Sequence, residues 1–221
     1  MNKGEIRSTV RTITELDVVD VADATIDLYI KDGYDRIIAL ERRWPFFETS
    51  STLTAVANQR DYPLSGIGAG SWAEVVSLVS PSAGTRLELI SYDQGEDTFI
   101  ARNADAAGRP RYYSEWGDTL QLWPKPDSAY SFLVRGYRKP NSWHLSDGIE
   151  VDADERFHRS LIYYAVAQLY QLQEDVEMAA SYRASFEESV RLVQAEVMRG
   201  PSHVPLVLSG GDLKLDKRWW Y

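Results

Sequence analysis

The fold class is decided by the segment RYYSEWGDTLQLW, residues Arg111–Trp123. Trp116-Gly117-Asp118 separates two runs of strand length and has turn composition, because Gly and Asp adopt turn conformations readily. In the second run, Thr119–Trp123, alternation of the side chains places Leu120 and Leu122 on the same face. The segment therefore predicts an antiparallel hairpin with one buried face.

Residues 53–140 contain further runs of strand length, separated by segments rich in Gly, Pro, Asn and Asp. Pro81–Gly84 has turn composition and joins two of these runs into a second antiparallel hairpin. The sequence therefore predicts an antiparallel β domain, which we assign to residues 49–145. Its predicted strands are Leu53–Asn58, Trp72–Ser80, Thr85–Ile90, Arg111–Glu115, Thr119–Trp123 and Ser131–Arg138.

The segment before the β domain has helical periodicity. From Asp17 to Trp44 the apolar residues recur at helical spacing, with Asp17 or Asp20 as the N-cap, and Pro45 cannot continue the helix. We predict one long amphipathic helix within residues 1–48. The residues on its apolar stripe are Ile26, Tyr29, Ile30, Ile37, Leu40 and Trp44.

Helical periodicity returns after the β domain. Asp152 and Glu155 have the spacing of a capping box, and Gln173-Glu174-Asp175 is a polar break between two helices that ends the first and precedes the second. Gly200-Pro201 stops the second helix. The apolar stripes are Phe157, Leu161, Tyr164, Ala165, Gln168 and Leu172, then Val176, Ala179, Phe186, Val190, Val193 and Val197.

These segments together predict an α+β protein. The short break between the last two helices favours an antiparallel helix hairpin against which the first helix packs. We therefore predict a helical bundle built from residues 1–48 and 146–199, with the antiparallel β domain of residues 49–145 inserted into it. Residues 200–221 are predicted to form an extended C-terminal tail.

Composition excludes several function classes. The 221 residues contain 24 Lys and Arg against 33 Asp and Glu, which gives a net charge of −9 and disfavours tight nucleic-acid binding. The chain has no Cys, so disulfides, thiolate metal sites and Cys nucleophiles are ruled out. No segment has the apolar length of a membrane span or the form of a signal peptide. We expect a protein made in a cytoplasm with no membrane partner.

Histidines and acidic side chains give no metal-site signature. His144, His158 and His203 lack any known ligand spacing. The acidic residues Asp93, Glu96 and Asp97 lack the spacing of an EF-hand loop. We predict no metal site.

Motifs for nucleotide binding and catalysis are also missing. Ser65–Gly70 resembles a nucleotide-binding loop only superficially, because it lacks the Walker lysine and precedes a predicted strand. No nucleophile or kinase signature appears in the sequence. We predict no cofactor and no catalytic residues, and hence a protein that is not an enzyme.

The C-terminal tail ends in the aromatic sequence Lys217–Tyr221. Three aromatic side chains that each bury about 150–250 Å² contribute roughly 11–19 kcal/mol at about 25 cal/mol per Å². Ordering about twenty residues costs on the order of 20–40 kcal/mol. The tail therefore needs further apolar contacts, either in a groove of a partner or on its own subunit.

One region carries a family resemblance. Gly108–Pro126 contains GxPxYY followed by WGDxLxLxPxP, and Arg135–Pro140 reads RxYRKP. Together with Trp44-Pro45-Phe46, Asn58–Leu64 and the helix that contains His158 and Tyr163-Tyr164-Ala165, these motifs resemble the head-to-tail adaptor proteins of tailed bacteriophages. That group includes the tail tubular adaptors of podoviruses. The resemblance covers most of residues 17–199.

The resemblance implies a structural role in the virion, at the junction of capsid and tail. A ring of twelve copies would dock beneath the portal protein and offer its other side to the next tail or neck protein, a nozzle or stopper. DNA would pass through the lumen without tight binding, since an acidic wall does not neutralise phosphates. The C-terminal extension would reach along the portal. The residues assigned to portal binding are Val204, Leu206, Leu208, Leu213, Leu215, Trp219, Trp220 and Tyr221.

A second hypothesis treats the aromatic-rich sheet as a binding module for carbohydrate or peptide. It predicts a concave patch of exposed Trp and Tyr side chains. For the Trp116–Pro126 hairpin, packing in the core and the turn is favoured over a role at an interface.

Overall fold

The computed structural model describes residues 1–68, 70–101 and 106–198. These residues form five α-helices and eight strands in two sheets, so the chain is an α+β protein. The helices are α1 Lys3–Thr14, α2 Asp23–Ala39, α3 Tyr92–Gly95, α4 His158–Leu172 and α5 Val176–Val197. The strands are β1 Glu48–Thr54, β2 Asp61–Pro63, β3 Trp72–Ser80, β4 Thr85–Arg86, β5 Glu88–Leu89, β6 Tyr112–Trp116, β7 Thr119–Trp123 and β8 Ser131–Arg138.

Each sheet has four strands. One has the order β1-β8-β3-β4 with antiparallel pairing throughout, and the other has the order β2-β7-β6-β5. Apolar side chains from both sheets form one core, so the sheets share a hydrophobic layer. This core contains Leu53, Ala55, Tyr62, Leu64, Ile67, Trp72, Val75, Leu78, Leu87, Tyr113, Leu120, Leu122, Phe132 and Val134. We call the two sheets the β part.

The predicted hairpin of β6 and β7 is present. Glu115 pairs with Leu120 and Trp116 with Thr119, which leaves Gly117 and Asp118 as the turn. Gly117 has a φ of 59°, a conformation that glycine adopts without strain. Leu120 and Leu122 are fully buried, as the alternation predicts.

Two predicted strands needed correction, and one strand was not predicted. The first is β1 Glu48–Thr54 in place of Leu53–Asn58, and the three-residue strand β2 was not predicted. Thr85–Ile90 is not one strand, because β4 pairs with β3 in one sheet whereas β5 pairs with β6 in the other. Leu87 lies between β4 and β5, where its buried side chain joins the shared core. The β5–β6 pair is parallel, unlike the antiparallel pairing that we predicted.

Helices α1, α2, α4 and α5 pack around a second hydrophobic core, and we call them the helical part. α4 is its central element, because α1, α2 and α5 all contact it. Gly33 of α2 lets the Tyr164 ring of α4 approach closely, since an added Cβ would lie 2.9 Å from that ring. The fully buried residues of this core include Ile6, Val10, Ile26, Ile30, Ile37, Trp44, Phe157, Leu161, Ala165, Val166 and Leu169.

The helix boundaries differ from the prediction at the N-terminal end. The predicted helix Asp17–Trp44 is shorter, as α2 spans Asp23–Ala39, and α1 was not predicted. A capping box starts α1, because the Asn2 side chain accepts from the Glu5 backbone N–H and the Glu5 carboxylate accepts from that of Asn2.

The start of α4 also differs. Asp154, rather than Asp152, caps the turn Glu155–Phe157 that leads into α4, by accepting from the Arg156 backbone N–H. Leu172, predicted to be on the buried stripe, is exposed at the end of α4. The second C-terminal helix, α5, begins at Val176 as predicted, and the Asp175 side chain caps it.

Candidate interaction surfaces

The helical and β parts meet at an aromatic junction. The Trp44 ring stacks on Phe46 with centroids 5.4 Å apart and meets Phe157 edge-on at 5.3 Å. Phe47, which directly precedes β1, contacts Phe46 at 4.7 Å. α2 has already ended at Ala39, and the short 3₁₀ helix Pro45–Phe47 leads the chain from the helical core directly into β1. The junction therefore belongs to the hydrophobic core and is not a flexible linker.

A partly buried ion pair spans the same junction. Arg138, at the end of β8, donates to both carboxylate oxygens of Asp152 at 2.6 Å. The Asp152 side chain is only 8% exposed and also accepts from the Asn141 backbone N–H at 2.7 Å. The Arg138 guanidinium lies 5.1 Å from the centre of the Phe47 ring. This bidentate geometry ties the end of β8 to the segment before α4.

A second charged group joins the loop after α2 to the β part. Arg43 donates to the Glu74 carboxylate at 2.5 Å, and this hydrogen bond lowers the pKa of Glu74. Glu115 lies nearby on β6 and accepts from the Val75 backbone N–H at 3.2 Å. Burial raises the pKa of Glu115, so the fold disfavours its ionised form.

We expect Glu115→Gln to stabilise the protein at neutral pH. The amide oxygen still accepts from Val75, but no charge is buried. Because the folded protein raises the pKa of Glu115, its ionisation costs stability as pH rises above the unfolded value near 4.5, and this cost is absent below that pH. The melting temperature should rise by roughly 2 °C at pH 7 and stay unchanged at pH 4. Thermal unfolding at the two pH values measures this, with exposed Glu188→Gln as control. An equal shift at both pH values would contradict it.

The basic residues of α1 form ion pairs within the helical part. Arg7 donates to both oxygens of Asp27 at 2.7 Å and to Asp147 at 2.8 Å. Lys3 lies 3.0 Å from Asp27 and 3.1 Å from Asp147. The hydrogen bond from Arg7, followed by that from Lys3, lowers the pKa of Asp147. These cations hold α1 against α2 and are not offered to an external anion.

The negative charge is concentrated in the two segments that carry the helical part. Residues 1–48 and 146–199 contain 12 Lys and Arg against 21 Asp and Glu. Residues 49–145 contain 9 against 10, and residues 200–221 contain 3 against 2. The segments that carry the helical part therefore account for the acidity of the chain, while the segment that carries the β part is nearly neutral.

The β6–β7 hairpin presents an exposed aromatic side chain. Trp116 is 64% exposed at the turn and stacks on Tyr92 with centroids 4.9 Å apart. The Tyr92 hydroxyl donates to Glu96 at 2.5 Å, and this bond raises its pKa. The two-residue turn, the stacking and the hydrogen bond hold the indole in one orientation. We call Trp116 and Tyr92 the hairpin tip.

An apolar groove lies between the end of α2 and the middle of α5, with a volume of about 440 Å³. Leu40, Phe186 and Val190 line it together with Ala39, and Leu40 is 53% exposed. Its polar margin consists of Arg36, Glu187, Arg191 and Gln194. We call it the α2–α5 groove. The sequence assigned Leu40, Phe186 and Val190 to buried stripes and gave no indication of an open groove.

The portal-binding residues predicted from the sequence, Val204 to Tyr221, lie outside the described residues. The binding-module hypothesis can be compared with five of the seven Trp residues. Trp116 is exposed, whereas Trp44, Trp72, Trp123 and Trp143 are buried. Four of the five described Trp side chains are therefore not available to the concave patch of exposed Trp and Tyr that the hypothesis predicts.

The other candidate motifs remain separate. Of the three histidines, His158 is buried, His144 is half-buried, and His203 lies outside the described residues. Burial lowers the pKa of His158. Within residues 1–68, 70–101 and 106–198 no group of three or more His, Asp or Glu side chains is arranged to hold a metal ion. Ser65 and Gly66 belong to a turn of 3₁₀ helix, Leu64–Gly66, and β3 begins at Trp72.

Comparison with known proteins yields one family match. The SU10 adaptor protein family matches residues 1–205 of the 221. No curated protein matches the chain. In the described residues no helix has the length and apolar character needed to cross a membrane. The family match confirms the resemblance to phage adaptors: this chain belongs to the SU10 adaptor protein family and is a structural adaptor protein of a bacteriophage virion.

Proposed function

We propose that this chain is a head-to-tail adaptor that forms a ring of twelve copies beneath the portal of a tailed phage. The ring links the portal to the next tail or neck protein, a nozzle or stopper, and genomic DNA passes through its lumen. The role is structural, with no catalytic or cofactor-binding residue. The observation that carries this proposal is the family match over residues 1–205.

We divide the chain, within this proposal, into a helical bundle of residues 1–48 and 146–199, an inserted β domain of residues 49–145, and a tail of residues 200–221. The two separate hydrophobic cores support the division. The aromatic junction and the Arg138–Asp152 pair support a rigid connection between bundle and insert. A rigid subunit suits a protein that must hold two other components in register.

Acidity supports a lumen through which DNA moves freely. A protein that neutralises few phosphates gains little affinity from counterion release, so it retains DNA weakly. The net charge is −9, and Lys3 and Arg7 are already paired with carboxylates. The intact chain is therefore expected not to retain DNA at about 0.15 M salt. As an adaptor, it is expected to bind portal rings.

The C-terminal tail is the proposed portal contact. Residues 200–221 combine apolar side chains with three terminal aromatic residues. Aromatic side chains are enriched among the residues that dominate binding energy at interfaces. The contact set comprises Val204, Leu206, Leu208, Leu213, Leu215, Trp219, Trp220 and Tyr221.

Removal of residues 200–221 is expected to weaken portal binding by at least about tenfold, since truncating hot-spot residues costs about 2 kcal/mol or more. Co-sedimentation of the truncated and intact chains with portal rings of the same phage measures the loss. A full-length variant with Trp219, Trp220 and Tyr221 changed to Ala separates the aromatic contribution from chain length. Circular dichroism checks that both variants keep the fold.

Two results would contradict these assignments in different ways. Undiminished portal binding by the truncated chain would refute the tail as the portal contact but leave the adaptor role intact. No binding by the intact chain would refute the adaptor role itself.

A further inference from the structure

We infer that neighbouring copies in the ring contact each other by insertion of the hairpin tip of one copy into the α2–α5 groove of the next. This inference rests on the proposed ring. It assigns the occupant of the groove to a second copy of this chain, and it makes Trp116 the central anchor of the subunit interface.

The hairpin tip has the properties of an interface anchor. Trp116 is the most exposed aromatic side chain that the structure describes, and Trp is among the residue types most enriched at interface hot spots. Stacking on Tyr92 and the bond from Tyr92 to Glu96 fix the indole before binding. Little side-chain entropy is then lost on association, which favours affinity.

The α2–α5 groove is suited to an aromatic occupant. Its volume of about 440 Å³ is large enough for an indole ring with part of a second ring. Leu40 and Phe186 provide apolar contact. The Arg36 guanidinium lies 5.2 Å from the centre of the Tyr164 ring, so Arg191 is the cation of the margin that can contact an incoming aromatic face.

The charges around the two surfaces are complementary. Asp61, Asp93 and Glu96 lie close enough to Tyr92 to raise the pKa of its hydroxyl, so the hairpin tip carries a group of carboxylates. Exposed Asp118 adds a further carboxylate at the turn, 3.5 Å from Lys139. At the groove, Arg36 is paired with Asp32 at 3.4 Å, so Arg191, which lies beside Glu187, is the cation that can face these carboxylates. Opposite charges of this kind fix orientation as well as raising the association rate.

Symmetry also favours this pairing. A ring needs a heterologous interface, in which two different surfaces of each subunit meet. The hairpin tip lies on the β part and the groove on the helical part, so each copy can use both at once. A contact between two identical surfaces would end at a dimer.

Mixing two variants, each defective in a different surface, tests the inference without relying on a single variant. Trp116→Ala and Leu40→Glu both alter exposed side chains, so both proteins are expected to fold. Each variant alone should fail to form rings on portal, whereas an equimolar mixture should yield dimers, because one intact tip and one intact groove remain. Leu192→Glu is the matched control, since Leu192 is 55% exposed on α5 but does not line the groove. Native mass spectrometry and electron microscopy count the copies.

Cross-linking through introduced cysteines gives a second readout. The chain has no native Cys that could react with the cross-linker. In Asp118→Cys combined with Ala39→Cys, a short bismaleimide should produce a ladder of covalent multimers, while Trp116 stays intact. Each single variant should give no ladder, and a mixture of the two should stop at dimers.

The outcomes distinguish this inference from the proposed function. If the Trp116→Ala variant formed rings on portal, the inference would be overturned and the adaptor role would stand. The same holds if the Cys double variant formed rings but gave no covalent multimers. Loss of rings in Leu40→Glu but not in Trp116→Ala would also overturn it, since another segment, such as the C-terminal tail, would then occupy the groove. Failure of the intact chain to bind portal would refute the proposed function.

Discussion

Replacing Gly136 by valine is expected to lower the free energy of unfolding by about 3 kcal/mol or more, the upper range for overpacking. Gly136 lies in β8, where it pairs with Thr49 of β1 and Val75 of β3. An added Cβ would stand 2.0 Å from the Glu74 carbonyl oxygen and 3.0 Å from the Val75 Cα. Both atoms belong to the backbone, so no rotamer change can relieve the clash.

The close approach has a structural cause. The register of β3 against β8 shifts between Trp72 and Glu74 and again between Val75 and Ser77, and such irregularities bring one strand nearer to its neighbour. The same strand segment carries the Glu74 carboxylate that Arg43 binds. A residue larger than glycine would therefore disturb both the sheet and its attachment to the loop after α2.

Chemical denaturation of Gly136→Val measures the effect, with Gly148→Val as the matched control. No atom lies within 4 Å of a Cβ built on Gly148, so that change is expected to alter stability by less than about 0.5 kcal/mol. Equal denaturation midpoints for the two variants would show that the backbone contact at Gly136 is absent in solution.

The sequence predicted the regular elements where one local pattern was sufficient. β3, β7 and β8 have the predicted bounds, because each is a short run rich in apolar residues between segments of turn composition. β2 is three residues long and contains Pro63, so it is too short for a periodic pattern. The division of Thr85–Ile90 between two sheets depends on which neighbours β4 and β5 meet, and only tertiary packing decides that.

The sequence does contain a usable signal for α1. Asn2 and Glu5 have capping-box spacing, and Ile6 and Val10 are one helical turn apart, which together predict a helix start. The role of Asp152 could not be predicted in the same way. Its spacing to Glu155 fits a cap, but its carboxylate is held by Arg138, fourteen residues away in the sequence.

The interaction surfaces were the least predictable feature. Trp116 was assigned to a turn, and nothing in a single chain indicates whether a turn aromatic is covered by another segment. Leu40, Phe186 and Val190 follow the helical period of core residues, so their common groove appears only when α2 and α5 are placed side by side. The portal contact in residues 200–221 remains a prediction from the family resemblance.

Breaking the junction pair is the second large expected effect. Arg138→Met should lower the free energy of unfolding by about 2–3 kcal/mol, because it leaves the Asp152 carboxylate buried with one remaining donor, the Asn141 backbone N–H. We take a value below the usual range for a fully buried pair, since the Arg138 side chain is 31% exposed and solvent screens part of the charge. Methionine keeps an apolar chain against the Phe47 ring, so lost packing contributes little.

A double-mutant cycle separates the charge from the packing. Asp152→Asn keeps an oxygen that can accept from Asn141 but removes the charge, so Arg138→Met with Asp152→Asn should be more stable than Arg138→Met alone. Arg156→Met is the control, because the Arg156–Asp154 pair has similar contact distances at an exposed site and its loss should change stability little. If the double variant were no more stable than Arg138→Met, the buried charge would not be the cause.

Portal binding and ring formation by the same variants report whether the pair also sets the orientation of the β part. A subunit that folds but holds its helical and β parts loosely should lose ring formation first.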